Sequence, residues 1–379
     1  MRKIQAVLSY NAMDYISSHH TSFQQVKAIN AISSCRTSNA GSHTLSCECG
    51  HEKVVSNSCS NRHCPTCGGF SKELWVHKQQ ESLLPSHYFH LVFTVPDSLR
   101  ELIYFNQKLL YNLMYDAASK TLIDLSKNKL GVIPGFSLVL HTWSQTLLFH
   151  PHLHCIFVGG GLSKDHTHFK SFKKKFFIHV KILSAVFKGK FLEGLKKLYS
   201  SGEFEPASQT SPLSSSDTFQ SFLDSLYDKD WIVFSKSVFK CADHVIKYLG
   251  RYTHRVAISD FRIKSISNNE VSFSYHDNKD GGKQKIMTLS YHEFMRRFLL
   301  HVLPHKFVKI RHYGFLSNRF RSSKVALCRN LIAKQGGLVL NVVPLLDKVR
   351  LLEKLIGKEK LCCPKCGRYF TYNHEVNHN

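Results

Sequence analysis

The stretch "HPHLHCIF" sets His152 and His154 two residues apart on an apolar run. Alternate side chains of an extended strand share a face, so both imidazoles could chelate one divalent ion. The same spacing also fits two of the chain's 24 histidines in an ordinary strand. A second set is phenolic: in "KYLGRYTHR" Tyr248 and Tyr252 are four apart and would sit one helical turn from each other. They suit a pair of nucleophiles, or two rings packed on a sheet with their hydroxyls at its edge. The third set is rich in thiols. Cys35, Cys47, Cys49, Cys59, His63, Cys64 and Cys67, with His43 as a further donor, fall within 33 residues. Cys64-Pro-Thr-Cys67 has the tight turn that lets two thiolates share a tetrahedral ion, so one or two structural Zn²⁺ are expected. Near the other end Cys363-Pro-Lys-Cys366 precedes His374 and His378, either a second Cys2His2 site or a lone pair in a His-rich tail.

These residues need elements to hold them. Residues 1–34 read as a helical lead-in, and the cysteine segment after them is too poor in large aliphatic residues to form an apolar core, so metal must stand in for one. "SKELWVHKQQESLLP" has a helical pattern; "HYFHLVFTVP", ended by Pro96, suits a central strand, and residues 97–129 are helix-like. "GFSLVLHTWS" and "HPHLHCIFVGGG" follow as two strands whose short connection predicts an antiparallel hairpin. Gly159 to Gly161 would allow close backbone approach or a sharp turn beside the histidines. A Ser/Pro-rich stretch at 198–220 reads as an exposed loop. Beyond it come a strand at "WIVFSKSVF", a helix carrying the tyrosines, and a hairpin turning at Asn268-Asn269. Strands and helices mix without strict alternation, which predicts an α+β fold around a mainly antiparallel sheet. The expected organisation is an N-terminal helix and zinc module at 1–80, a catalytic domain at 81–330, and a basic C-terminal helix with a Cys/His tail at 331–379. Cys155, Cys241 and Cys328 stand apart and read as small buried apolar residues.

The charge narrows the partner. With 51 Lys+Arg against 27 Asp+Glu the chain carries +24, which favours a polyanion, nucleic acid first. Ten lysines between Lys164 and Lys197, including Lys173, Lys174 and Lys175, face two acids; residues 296–330 hold nine Lys+Arg and no acid. That second stretch includes Arg311, Arg319 and Arg321 interleaved with aromatic rings, a composition suited to phosphate contact and base stacking or to a plain solvated face. Arg251 and Arg255 flank the tyrosines. No apolar run reaches the ~18 residues of a membrane span, and the opening lacks a signal peptide's apolar core, so a cytoplasmic protein is expected. No Gly-x4-Gly-Lys-Ser/Thr loop is present, so strand unwinding would fall to a host helicase or replication protein.

Taken together, "SCSNRHCPTC", "YFHLVFTVP", "HTWSQTLLFHPHLH", "VFKGKF", "YLGRYTHRVAISDFRI" and "LPHKFVKIRHYGFL" resemble, in that order, the HUH single-strand endonucleases. The resemblance is to the two-tyrosine rolling-circle transposases of the IS ninety-one type of bacterial insertion sequence. It covers nearly the whole chain. It implies a bacterial, nucleoid-associated DNA transposase acting on single-stranded insertion-sequence ends, with Tyr248 and Tyr252 forming a 5′-phosphotyrosine link. It also implies a catalytic Mg²⁺ or Mn²⁺ on His152 and His154, with Gln145 as third ligand. The chain departs from the family at Cys47-Glu-Cys49, where two intervening residues are usual, and in its Ser-rich segment. Two other readings of the residues remain: a zinc-dependent DNA-binding regulator without tyrosine chemistry, and a metal hydrolase or oxygenase built on the two histidines.

Overall fold

The computed structural model describes residues 2–172, 177–204, 213, 215–239, 256–337 and 347–372. Tyr248, Tyr252, Arg251, Arg255, Lys173, Lys174, Lys175, Cys241, His374 and His378 lie outside the described residues. The chain opens with two helices, α1 (Lys3–Ser18) and α2 (Phe23–Ser34), the second capped by reciprocal bonds between Ser22 and Gln25. The hairpin β1 (Ser42–Ser46) and β2 (Glu52–Ser56) leads to α3 (Gly68–Gln80). A central sheet follows, from β3 (Tyr88–Thr94), β4 (Val132–Trp143), β5 (Phe149–Ser163) and β6 (Phe169–Ser171). Its other strands are β7 (Val233–Phe239) and β11 (Ile310–Gly314), and the order is β11-β4-β5-β3-β7 with β6 on the far end of β5.

Period-two alternation decides what each face of this sheet does. Phe89, Leu91 and Phe93 on β3, Leu138 and Leu140 on β4, and Leu153, Cys155 and Phe157 on β5 point to one side and are almost wholly buried. They pack on two helices, α4 (Gln107–Leu125), through Tyr111, Met114 and Tyr115, and α5 (Val180–Ser200), through Phe187, Phe191 and Leu195. Truncating a ring such as Phe93 would cost ~3–5 kcal/mol here. The opposite face carries the histidines at one end, while Tyr88, Ile156 and Val158 at its other end pack into a smaller apolar core. Gly159 to Gly161 continue β5 without a turn; a Cβ at Gly159 would come within 2.5 Å of His87, so the need met there is close approach.

A second sheet, β8 (Ile263–Ser267), β9 (Glu270–Asp277) and β10 (Lys283–Ser290), turns at Asn268 and Asn269. Both adopt positive φ, 50° and 63°, the demand of a tight two-residue hairpin. With α6 (Tyr291–Leu299) this sheet shares a core with the first two helices: Ile4, Leu8, Ile29, Phe273, Phe294 and Phe298. Two further helices, α7 (Arg321–Lys334) against the glycine end of the central sheet and α8 (Lys348–Ile356) against α3, complete the parts that matter below. Every strand pairing among the described residues is antiparallel, and the fold is α+β as the irregular alternation predicts.

Candidate metal centres

On the histidine-bearing face of the central sheet, the register of β4 against β5 sets His141 directly opposite His152, and Val139 opposite His154. The three imidazoles of His141, His152 and His154 converge, each offering a ring nitrogen within 4.8 Å of the others. Nδ1 of His152 bonds the carbonyl of His150 at 2.6 Å, which fixes it as the protonated nitrogen and leaves Nε2 as a lone pair. That lone pair faces Nε2 of His154 at 3.1 Å, and Nδ1 of His154 is met by Nε2 of His90, on β3, at 2.9 Å. A cation bonded to two nitrogens ~2.1 Å away at a right angle would hold them ~3 Å apart, so the pair is spaced for a shared ion. Burial lowers the pKa of His152 to about 4 and that of His90 to about 4, so both rings are neutral at ordinary pH. Trp143 stacks on His141 with centroids 4.7 Å apart, and the Lys309 ammonium lies 4.8 Å over the Trp143 ring. Burial, reinforced by nearby Arg62, brings Lys309 down to about 7.

The histidines floor a cleft of ≈ 570 Å³ with Arg100, Arg262 and Lys279 in its walls. Gln145 lines the same cleft, and its loop is pinned by two arginines: Nη2 of Arg262 donates to the Gln145 carbonyl at 2.6 Å, and Arg297 donates to that of Thr146. His141, not singled out in the sequence, therefore stands where a third ligand would be sought, with His90 as a further partner. A plain register count does not find it: the pairing of Trp143 with Phe149 would set His141 against Pro151, and a bulge between His141 and Trp143 shifts it by one residue onto His152.

The cysteines fall into two groups, not one. Cys35, at the end of α2, joins Cys59, Cys64 and Cys67 with all four sulfurs within 4.8 Å. Cys35 and Cys64 belong to the core shared by the first helices and the small sheet. A tetrahedral zinc with Zn–S near 2.3 Å spaces its sulfurs ~3.8 Å apart, and here Cys35 to Cys64 is 3.8 Å and Cys59 to Cys67 is 3.5 Å. Hydrogen bonds from Cys59 and Cys67 lower the pKa of the Cys64 thiol, while contacts within the same group push Cys59 up, so the crowded sulfurs favour a thiolate at Cys64. His63 is engaged elsewhere, its Nε2 accepting from the backbone of Leu303, and burial lowers its pKa to about 3. Likewise His43 meets Asn57 at 2.7 Å. The second group is Cys47, Cys49, Cys363 and Cys366. Of the scattered cysteines, Cys155 and Cys328 are fully buried, as their apolar reading requires.

Among the basic residues, Arg311 is held within the fold, its guanidinium 4.1 Å from the Tyr115 ring and bonded to Asn112 at 2.6 Å. Arg319 lies over Phe320, and Arg321 begins α7. No helix among the described residues is long and apolar enough to cross a membrane.

Two family models match the chain: a "Transposase zinc-binding domain" over residues 7–95 and a "Putative transposase" over residues 135–324. A "Putative transposase y4qJ" from Sinorhizobium fredii (strain NBRC 101917 / NGR234) is 41% identical over 352 residues, covering 92% of this chain and 88% of that protein. The "Transposase for insertion sequence element IS801" from Pseudomonas savastanoi pv. phaseolicola is 28% identical over 299 residues, 78% of this chain and 71% of that one. No solved structure matches. The chain belongs to the IS ninety-one family of insertion-sequence transposases with an N-terminal zinc-binding domain. It is thus an enzyme whose substrate is DNA, and its cysteine groups suit structural zinc.

Proposed function

We propose that the chain nicks and rejoins single-stranded DNA at insertion-sequence ends, in rolling-circle fashion, with Tyr248 and Tyr252 as nucleophiles. The observation that supports this most is the convergence of His141, His152 and His154 at the floor of a cleft with cationic walls. A divalent ion bound there, Mg²⁺ or Mn²⁺, would polarise the scissile phosphate and offset charge on its oxygens. Imidazole ligands would supply lone pairs without adding negative charge, and Arg100, Arg262 and Lys279, which share the lining with Asp277, would attract the phosphate backbone to the cleft. The tyrosines lie outside the described residues. Val256 and Ala257 line a small cavity with Trp143, the ring stacked on His141.

In the cleavage step a tyrosine oxygen bonds to phosphorus while the bond to the 3′ oxygen breaks. The phenol proton passes to that oxygen, leaving a 3′-hydroxyl and a 5′-phosphate on tyrosine. The number of phosphate ester bonds is conserved, so the reverse attack by a DNA hydroxyl rejoins the strand without an energy source. The second tyrosine would serve the return or transfer step. Incubating the purified protein with labelled circular single-stranded DNA and Mn²⁺ should give a denaturation-resistant adduct. The adduct should vanish in the Tyr248→Phe/Tyr252→Phe double variant and in His152→Ala. Tight DNA binding with no adduct, even on the element's own ends, would favour a regulator that binds DNA without cutting it.

A further inference from the structure

We infer that Cys47, Cys49, Cys363 and Cys366 form one tetrathiolate zinc site, separate from the first, that staples the two ends of the chain together. Neither matched family model reaches residues 347–372, so half of this site has no assigned role. The Sγ atoms of Cys47 and Cys366 are 3.3 Å apart, those of Cys49 and Cys363 are 3.6 Å apart, and all four lie within 4.8 Å. These spacings fit a tetrahedral zinc cage.

Each half has the backbone of a metal-binding knuckle. In Cys47-Glu-Cys49-Gly50 the Cys47 amide donates to the His51 carbonyl at 2.9 Å, the Gly50 amide donates to the Cys47 carbonyl, and Gly50 takes φ +79°. In Cys363-Pro-Lys-Cys366-Gly367 the Cys363 amide donates to the Arg368 carbonyl at 2.7 Å, the Gly367 amide donates to the Cys363 carbonyl, and Gly367 takes φ +74°. The Lys365 amide also points at Cys363 Sγ, 3.4 Å away, a contact that stabilises a thiolate. The glycines are needed because each knuckle turns back through the left-handed region within one residue of its second cysteine.

Strand pairing joins the halves. A short strand, β12 (Thr371–Tyr372), adds to β1 with Leu45 opposite Tyr372 and Ser46 opposite Thr371, and Arg368 pairs with Glu48 across the two knuckles. Apolar packing does little here: no residue of β1 or β2 is buried, and the new strand contributes two pairs. Packing of α8 on α3 brings the segment alongside, but at the knuckles themselves a two-pair ladder and an exposed ion pair join the halves far more weakly than four thiolates on one zinc would. The unusual Cys-x-Cys spacing therefore belongs to a ligand pair whose partners come from the C-terminus.

Metal analysis of the full-length protein tests the staple without reference to activity. The wild type should carry two zinc ions per chain. One should remain in Cys363→Ser/Cys366→Ser, one in Cys47→Ser/Cys49→Ser, and still one when all four are replaced, because both pairs belong to a single ion. Cys362→Ser should keep both. Two ions retained by the C-terminal double variant would overturn the proposal. So would separate losses that add in the fourfold variant. The wild type gives a second route that needs no variant. After the zinc-loaded wild type is oxidised with diamide and digested with trypsin, peptide 37–53 should be found disulfide-linked to peptide 361–365 or 366–368. Absence of any such cross-link between the ends would also overturn it.

Discussion

The two cysteine sites use the same chemistry and differ in what surrounds them. Cys35 and Cys64, 2% and 1% exposed, lie inside a core with Ile4, Leu8, Phe294 and Phe298. In the second site Cys47 and Cys363 are also buried, but Cys49 and Cys366 are exposed and the ribbon beside them has no buried strand residue. The first site is thus part of a hydrophobic core and gathers its ligands from 33 residues of sequence. The second stands in place of a core and gathers its ligands from both ends of the chain. Metal loss should therefore propagate from the first site and stay local at the second.

The largest expected effect follows directly. Cys64→Ala removes a buried ligand, and structural zinc contributes roughly 10 kcal/mol, comparable to the whole stability of a domain at about 5–15 kcal/mol. This variant should lose its cooperative melting transition and its near-ultraviolet circular dichroism. Cys366→Ala should keep both, with a melting point lowered by no more than about 5 °C. Equal damage from the two substitutions would dissolve the distinction between core and staple.

That contrast also shows why sequence reveals some ligands and not others. Each of the three centres contains a close pair visible in the chain: Cys64 and Cys67, Cys47 and Cys49, His152 and His154. Such pairs are written by local geometry, a turn or a strand, whose period is known. The ligands that complete each centre arrive through tertiary contacts: Cys35 from the end of a helix, Cys363 and Cys366 from the C-terminus, His141 from a neighbouring strand. The α+β class, the histidine strand, its hairpin partner and the Asn268-Asn269 turn were all legible, because alternation and turn residues act locally. Gln145 follows from family resemblance, whereas His141 meets His152 through a bulge beside Trp143 that no local pattern in the sequence marks. The separation of the cysteines into two groups had no local signal, since it depends on where residues 363–366 come to rest.

The histidine centre extends the test of local against distant ligands. If register rather than proximity in sequence selects the third ligand, His141→Ala should cut adduct formation by ~100-fold, the scale seen when a metal-site partner is lost. Gln145→Ala should change it by only a few-fold, because the backbone carbonyl of that residue, not its side chain, carries the bond to Arg262. Adduct yield in single-turnover reactions measures both. The reverse ranking would return the third position to Gln145.

The smallest expected effect is one of pH, and it again separates a core from a surface ribbon. His301, fully buried at the end of the core that holds the first site, bonds Thr142 and the Leu147 carbonyl, and burial lowers its pKa to about 4. Neither histidine of the ribbon, His43 or His51, is buried. A histidine with a depressed folded pKa stays neutral in the native state while the unfolded chain takes up a proton. Its contribution to stability is therefore complete above pH 6.5 and declines as pH falls from 6.5 towards 4. Over the first unit of that window the loss is about 1 kcal/mol. Melting points at pH 7.5 and 5.5 should fall further in the wild type than in His301→Gln, whose amide can still bond both partners without titrating. Equal slopes would mean that acid acts on this core through other groups, buried His63 and the thiolates among them.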